Sequence, residues 1–556
     1  MIQARIHNSI KTVLIELGAP DVAFVVERPG EFAHGDYASN AALAAAKVLE
    51  QNPKAIANDL QTRLEGKIEG VEKIEIAGAG FLNFFLTQEQ IVKEVENAAT
   101  NDVWGSNDLY QDQAVMVEYT DPNPFKEFHI GHLMSNAIGE SIARVLEAAG
   151  AKVVRANYQG DVGLHVAKAI WGKQQKPELS WGEAYVYGSN RYENNRGEVD
   201  EINKKVYEHS SDIVDLYEEG RNSSLEKFEK LYTMLGTKFD KYFFESESWE
   251  VGRSLVEDHK GDVFEESEGA IVYKGEQDGL HTRVFLTKAG LPTYEAKDLG
   301  LLALKEESGL YDKSITVTAS EQKEYFKVVL AAAKKLSEVR DIAEKTQHVT
   351  HGMMRFAEGK MASRKGNVIT GESLLADLVE ESKEKMGSRE VGDADKVAEQ
   401  VAVGAIKYAV LRQSSGKDII FDPEKSLSLE GDSGPYVQYA HTRALSLARK
   451  AEQAEIVFQM KVEADADFVE VGNLYRLQHA LIHFPEVVAR AAKELEPHYV
   501  ATYMLELAST FNSWYATERI IVDGKVMPDR LRLVQAVEQT LAKGLKVLGI
   551  PVPQEM

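Results

Sequence analysis

The sequence predicts an α/β protein in three parts: a parallel-sheet domain with a helical insertion, an α+β domain before it and an all-α bundle after it. Three observations predict this. A β–loop–α–β unit runs from AVMVEYT at residue 114 to AKVVRANYQG ending at residue 160. The first hundred or so residues mix helical and strand-like periodicity. From about residue 398 the apolar residues recur almost wholly at helical spacing. A chain of 556 residues is also too long for one core.

The elements follow in order. HGDYASNAALAAAKVLEQNPKAIANDLQTRLEG (34–66) carries Ala and Leu at helical spacing, and VEKIEIAGAGFLNFFL (71–86) reads as two strands about a Gly-rich turn. The polar, turn-rich stretch 98–113 marks a boundary, so residues 1–100 are expected to form the first domain. AVMVEYT (114–120) is then a strand, DPNPFKEFHIGH a loop, and HLMSNAIGESIARVLEAAG (132–150) an amphipathic helix stopped by Gly150. The next strand, AKVVRANYQG, completes the start of a nucleotide-binding, Rossmann-like sheet over 113–397. Residues 172–265 are charged and helical in pattern and read as an insertion. Strand patterns return at AIVYKG (270–275), TRVFLT (282–287) and SITVTAS (314–320). Residues 398–556 carry at least five apolar-striped segments, as expected of a helical bundle.

Composition excludes several classes. No segment has the roughly 18 apolar residues of a membrane span, so no membrane partner is expected. The N-terminus reads as an amphipathic helix rather than a signal peptide. There is no cysteine, which excludes disulfides, a thiol nucleophile and Cys-ligated zinc, and is consistent with a cytoplasmic protein. The formal charge of −24 argues against tight non-specific nucleic-acid binding, yet 64 basic residues suffice for a local basic track.

Two segments carry chemistry. His129 and His132 lie three apart where a parallel strand gives way to a helix. Backbone N–H groups and the helix dipole there attract phosphate, and Gly131 lets a ligand approach closely. Two imidazoles can donate to phosphate oxygens as charge builds, which suits nucleotidyl transfer; the alternative is metal binding, though no third ligand sits nearby. The second segment is GKMASRKGNVIT (359–370), where Lys360, Arg364 and Lys365 cluster between glycines. It reads either as a clamp on a triphosphate or as a solvated basic turn.

The two segments together resemble the HIGH and KMSKS signatures of class I aminoacyl-tRNA synthetases. Among these the chain resembles the arginyl-tRNA synthetases, through PNPFKEFHIGH (122–132), NYQGDVG (157–163), YEAKD (294–298), GDSGPYVQYAHTR (431–443) and GLKVLGIPVPQEM (544–556). HGDYASNAAL and GFLNFFL resemble that family's additional N-terminal domain, so the likeness spans nearly the whole chain. It implies a two-step reaction: L-arginine and ATP, with Mg2+, give arginyl-adenylate and pyrophosphate, and the arginyl group then passes to the terminal ribose of tRNA(Arg). No structural metal is implied, and the protein is expected to act as a cytoplasmic monomer. A small-molecule adenylyltransferase, a non-catalytic tRNA-binding relative and a class I enzyme for another amino acid are the competing readings.

The resemblance also assigns residues. His129, Gly131 and His132 would bind ATP and stabilise the phosphate transition state, with Asp161 and Gly163 at the end of the next strand. The basic run Met361–Ala362–Ser363–Arg364–Lys365–Gly366 departs from the Lys–Ser ending, and Lys126 is expected to compensate beside Lys360 or Lys365. A guanidinium needs planar acceptors. Tyr294 and Asp298, four apart on one helical face, match the family's arginine-binding pair. Glu118, Asn123, Gln322 and Glu245 complete the expected arginine site. For tRNA the candidates are Phe81 and Asn83 at the elbow, and Tyr436, Tyr439, Trp514 and Tyr515 near the anticodon.

Overall fold

Burial of near-continuous apolar runs drives the central sheet, because parallel strands covered on both faces have no polar side. The computed structural model describes the chain apart from residues 310, 358–368, 388–391, 453–471 and 523–524. The chain forms two compact units: residues 107–438 with 491–502 and 545–556, and residues 1–106 with 439–490 and 503–544.

The larger unit is built on five parallel strands: β1 (Ala114–Glu118), β2 (Lys152–Gln159), β3 (Lys241–Phe244), β4 (Lys313–Ala319) and β5 (Thr346–His351). Their order is β5-β4-β1-β2-β3. The chain thus builds to one side of β1 and then crosses to the other. That reversal opens a crevice at the carboxyl ends of β1 and β4, where α/β sheets take their ligands. Five helices matter for the site: α1 (Ile130–Ala148), α2 (Val214–Met234), α3 (Glu245–Asp258), α4 (Tyr294–Ser308) and α5 (Lys323–Ala333). Gly150 follows α1 at φ 92°, the left-handed stop its position predicts.

Two sequence readings differ from the structure. The span 172–265 is not purely a helical insertion: its KYFF supplies β3, an edge strand of the sheet itself. Four residues are too short for a period-two pattern to show. Conversely, Ala270–Tyr273 and Arg283–Leu286 do not join the parallel sheet. They pair antiparallel with each other, and Glu265–Ser267 makes the third strand.

Met116, Ala156 and Phe243 of the sheet pack with Val256 of α3, Leu299 of α4 and Val328 of α5 in one core. A second core, with Trp171, Trp181, Val199 and Tyr217 of the insertion, closes round Phe125 of the β1–α1 loop. Helices α3 and α4 touch backbone to backbone. A Cβ on Gly252 would sit 1.8 Å from the Ala296 carbonyl oxygen, and one on Gly300 would sit 1.9 Å from that of Ser248. Neither neighbour can yield, since both are helical backbone.

In the smaller unit, Val26–Glu27, Tyr37–Ser39, Phe81–Leu86 and Val71–Ala77 form an antiparallel sheet in that order. Helices cover it through Ile6, Ile10, Leu60 and Ile91. Asp36 of the HGDYASN stretch is buried there and accepts from the Leu86 amide at 2.5 Å and the Tyr475 hydroxyl at 3.1 Å. Among the described residues, the regular structure beyond residue 434 is helical apart from a short antiparallel ribbon, Ile521–Val522 with Lys525–Val526.

The α3–α4 crossing yields a test. Gly300→Ala is expected to destabilise the protein by roughly 1–3 kcal/mol through overpacking, seen as a lower midpoint of thermal unfolding.

Candidate active site

The β1–α1 loop holds an unusual backbone. Thr120, Asp121 and Phe125 all have positive φ, at 79°, 45° and 70°. Each such residue stores about 1–3 kcal/mol of strain and persists only where its surroundings over-determine it. They do so here. The Thr120 amide donates to Ser135 Oγ at 2.9 Å, and Ser135 donates to the Val317 carbonyl at 3.0 Å. The Tyr158 amide donates to Asp121 Oδ1 at 2.8 Å, and the Phe125 amide to Ser224 Oγ at 2.9 Å. β2, β4, α1 and α2 thus jointly hold one loop.

This loop rims a cavity of about 560 Å³. Glu118, Asn123, His129, Gly131, His132, Glu245, Tyr294, Asp298 and Gln322, scattered over some 200 residues, all line it. Gly160 is bare because a Cβ there would lie 2.3 Å from Asn123 Oδ1 and 3.2 Å from Glu245 Oε1.

The histidines stack, ring centroids 3.5 Å apart and planes 25° from parallel. The His129 amide donates to His132 Nδ1 at 3.2 Å, which puts the proton of neutral His132 on Nε2. Burial lowers the His132 pKa well below the usual value, aided by His129, Lys126 and His351. Burial, then Lys126 and His351, lowers that of His129. Both imidazoles are therefore neutral N–H donors at neutral pH. Thr370 pairs with His129 in an isolated bridge, and the Gly371 amide donates to the Phe128 carbonyl at 2.7 Å. Lys126 stands 5.2 Å from the Tyr185 ring, its pKa lowered by burial. Lys360, Arg364 and Lys365 lie outside the described residues.

Across the cavity stand the carboxyl groups. Glu118 Oε2 lies 2.7 Å from Lys305 Nζ, and Glu245 Oε2 lies 2.6 Å from Lys297 Nζ. Among the described residues Asp298 has no lysine partner of this kind; it accepts from the Tyr325 hydroxyl at 2.5 Å. It is partly open to the cavity, but protein surrounds its other sides. Burial, with Glu118 and Glu245 adding to it, lifts its carboxyl to about 7. Burial and then Glu118 lift Asp121 further above its ordinary value. One wall of the cavity thus attracts a cation, while the opposite wall offers N–H donors.

Comparison with known proteins matches the residues to a family. The model described as tRNA synthetases class I (R), catalytic domain, matches residues 94–423. The DALR anticodon binding domain matches 437–556, and the arginyl tRNA synthetase N terminal domain matches 2–86. The arginine–tRNA ligase of Clostridium perfringens is 30% identical over 98% of each chain, and that of Clostridioides difficile 31% over 99% of each. The solved Thermus thermophilus arginyl-tRNA synthetase superposes with a TM-score of 0.83 at 28% identity, covering 100% of both chains. The chain belongs to the class I arginyl-tRNA synthetases. These are ATP-dependent arginine–tRNA ligases of translation, and the parallel-sheet domain, N-terminal domain and helical C-terminal region are those of the family.

Against that family, four sequence assignments need correction. Asp161 does not face the cavity. Its fully buried carboxylate is occupied by Arg221 Nε at 2.9 Å, the Tyr217 hydroxyl at 3.1 Å, and the amide and hydroxyl of Ser246 at 2.8 Å each. It anchors the start of α3, and with it Glu245. Gly163 precedes a helix at φ 115° and also lies off the cavity wall. Trp514 is 1% exposed and Asn83 4%, so neither offers a face or edge to a base. Phe81, by contrast, is 42% exposed. Tyr436 is half-buried. Tyr439 and Tyr515 are partly exposed and flank one guanidinium: Arg443 lies 4.8 Å from the first ring and 5.9 Å from the second.

Residue-by-residue reading of the sequence missed Asp121, Lys305 and Tyr325. None belongs to a signature; the fold brings Asp121 and Tyr325 to Asp298, while Lys305 stands two turns further along the same helix. The positive φ of Asp121 has no sequence signal either, since aspartate is common in loops.

The Asp298 carboxyl predicts a pH profile. If Asp298 takes the arginine guanidinium it does so ionised, so affinity is full about one pH unit above 7 and is lost as pH falls through 7. The KM for arginine is expected to be about tenfold higher at pH 6 than at pH 8, measured by aminoacylation at saturating ATP and tRNA.

Proposed function

We propose that this cavity carries out both steps of arginyl transfer with the following division of labour. The observation that carries the reading is Asp298, a carboxyl lifted to about 7 and hydrogen-bonded by the Tyr325 phenol, in the cavity that two neutral imidazoles also line. Asp298 takes the guanidinium, and Tyr294 lies along its stem. Asn123 and Gln322 hold the α-amino group, Glu118 completes the acidic wall, and Glu245 lies with Asn123 at the rim.

ATP enters with Mg2+ on the histidine side. A carboxylate oxygen of arginine attacks the α-phosphorus. The new bond joins the carboxyl oxygen to phosphorus, and the bond from phosphorus to the bridging oxygen breaks to release pyrophosphate. His129 and His132 donate to the phosphate oxygens as negative charge builds on them, from positions that need no reorganisation. Gly131 leaves room at the helix start. Lys126 adds positive charge beside the histidines. In the second step the terminal ribose hydroxyl attacks the arginyl carbonyl and AMP leaves.

For tRNA, residues 1–100 would grip the elbow through exposed Phe81, with residues 113–397 performing the chemistry. Residues 398–556 would take the anticodon, where the Tyr439–Arg443–Tyr515 group offers stacking and charge together. On this reading the enzyme is a monomer working in the cytoplasm, where tRNA is charged.

ATP–pyrophosphate exchange over all twenty amino acids, with and without tRNA, tests the reading. Arginine-specific exchange, lost in Asp298→Ala, is the expected outcome; exchange with another amino acid would overturn it. Lys126→Ala should slow exchange more than tenfold if its charge supports the phosphates. Phe81→Ala should raise the KM for tRNA several-fold and leave that for arginine unchanged.

A further inference from the structure

Helix α4 carries three charged residues toward the acidic end of the site: Lys297, Asp298 and Lys305. The two lysines are each committed to a carboxylate from another element. Lys297 takes Glu245 of α3, and Lys305 takes Glu118 of β1. The second pair is the more enclosed, its side chains 1% and 3% exposed. Its geometry is specific. Lys305 Nζ also donates to Thr316 Oγ1 of β4 at 3.3 Å, so the ammonium is fixed between neighbouring strands. Its approach to Glu118 Oε2 is close but not aligned as a hydrogen bond. The contact is one of charge, and it leaves the lone pairs of Oε2 without a hydrogen bond among the described residues.

We infer that Lys305 is a positioning residue for arginine selection: by pairing with Glu118 it leaves Asp298 as the carboxyl group whose missing counter-charge is the substrate's guanidinium. The inference rests on the arginine site proposed above and deepens it. The groups facing Asp298 are Glu118 from β1, Asp121 from the loop, Tyr158 from β2, Glu245 from α3, Tyr325 from α5 and Lys305 from α4 itself. Arg283 lines the same cavity, 5.5 Å from the Tyr325 ring, but is paired with Glu295 at 3.1 Å. Lys297 is held by Glu245. Lys305 is therefore the cation that offsets Glu118 at Asp298. Without it, Glu118 and Asp298 would repel unopposed, and the proton on Asp298 would compete more strongly with arginine at physiological pH. A cavity with two uncompensated carboxylates would also reorganise on binding one cation, whereas the paired arrangement waits with a single unit of charge to fill.

The test is the KM for arginine and kcat, measured from pH 6 to pH 9 in Lys305→Met and Lys305→Arg. In Lys305→Met the midpoint of the KM profile should rise by about one pH unit, with KM at pH 7 up severalfold and kcat at saturating arginine within about twofold. Lys305→Arg should restore the original midpoint. An unchanged midpoint in Lys305→Met, or a fall in kcat with KM untouched, overturns the inference. If the methionine variant does not fold, the double variant Lys305→Met/Glu118→Gln removes both charges and should keep the midpoint near its original value; a raised midpoint there overturns it equally. Asp298→Asn separates this inference from the site beneath it. It should abolish the pH dependence of arginine binding altogether, and a dependence that survives refutes the role of Asp298 and the inference with it.

Discussion

Carboxyl groups crowded at the end of a parallel sheet set the terms for the rest of this structure. Glu118, Asp121, Glu245 and Asp298 converge on one cavity, and protein separates them from bulk water on most sides. Enclosed like charges are expensive, and proteins meet the expense by pairing or by protonation. Both devices operate here. Two lysines of one helix neutralise Glu118 and Glu245, while Asp121 and Asp298 move toward their protonated forms. On the reading proposed above, the substrate's guanidinium meets the remaining demand for positive charge. Selectivity follows from the same arithmetic, since an amino acid lacking a planar cation leaves these groups unsatisfied.

Holding such a cluster requires an unyielding frame. The β1–α1 loop is kept in a strained path by donors from four elements, so its side chains have little freedom to drift. Helices α3 and α4 meet at Gly252 and Gly300 with no side chain between them. That contact sets how far Glu245 and Lys297 stand from each other across the crossing. Asp161 adds a further brace by capping α3 while tying it to α2 of the insertion. Rigid backbone contacts of this kind pass small displacements on instead of absorbing them. The region inserted between β2 and β4 therefore belongs to the architecture of the site.

The strong acidity of the protein does not conflict with a nucleic-acid partner. On the reading proposed above the contact is local: Arg443 stands 4.8 Å from the Tyr439 ring and 5.9 Å from that of Tyr515, and a cation among aromatic rings suits unstacked bases better than a diffuse basic patch does.

The sequence by itself determined the class of the molecule. Apolar runs of the parallel kind, helical stripes and the order of the HIGH, YEAKD and C-terminal segments are local facts, legible because period and spacing survive in one dimension. Tyr294 and Asp298 share a helical face for the same reason, and His129 and His132 share a helix start. What only the tertiary structure decided is which of these side chains are available. Asp161 looked like a nucleotide contact and is consumed by Arg221, Tyr217 and Ser246; Trp514 and Asn83 looked like base readers and are core. KYFF, too short to show a period, became the edge of the sheet. Tyr325 has no spacing that points to Asp298, and the two-turn interval from Asp298 to Lys305 does not reveal Glu118 as the lysine's partner, yet Lys305 offsets the charge beside Asp298 and Tyr325 is that carboxyl's hydrogen-bond donor. The reason is physical: partners in a charge or hydrogen-bond network are chosen by proximity in the fold, and a sequence records residue types and intervals but not the distances between elements that packing brings together.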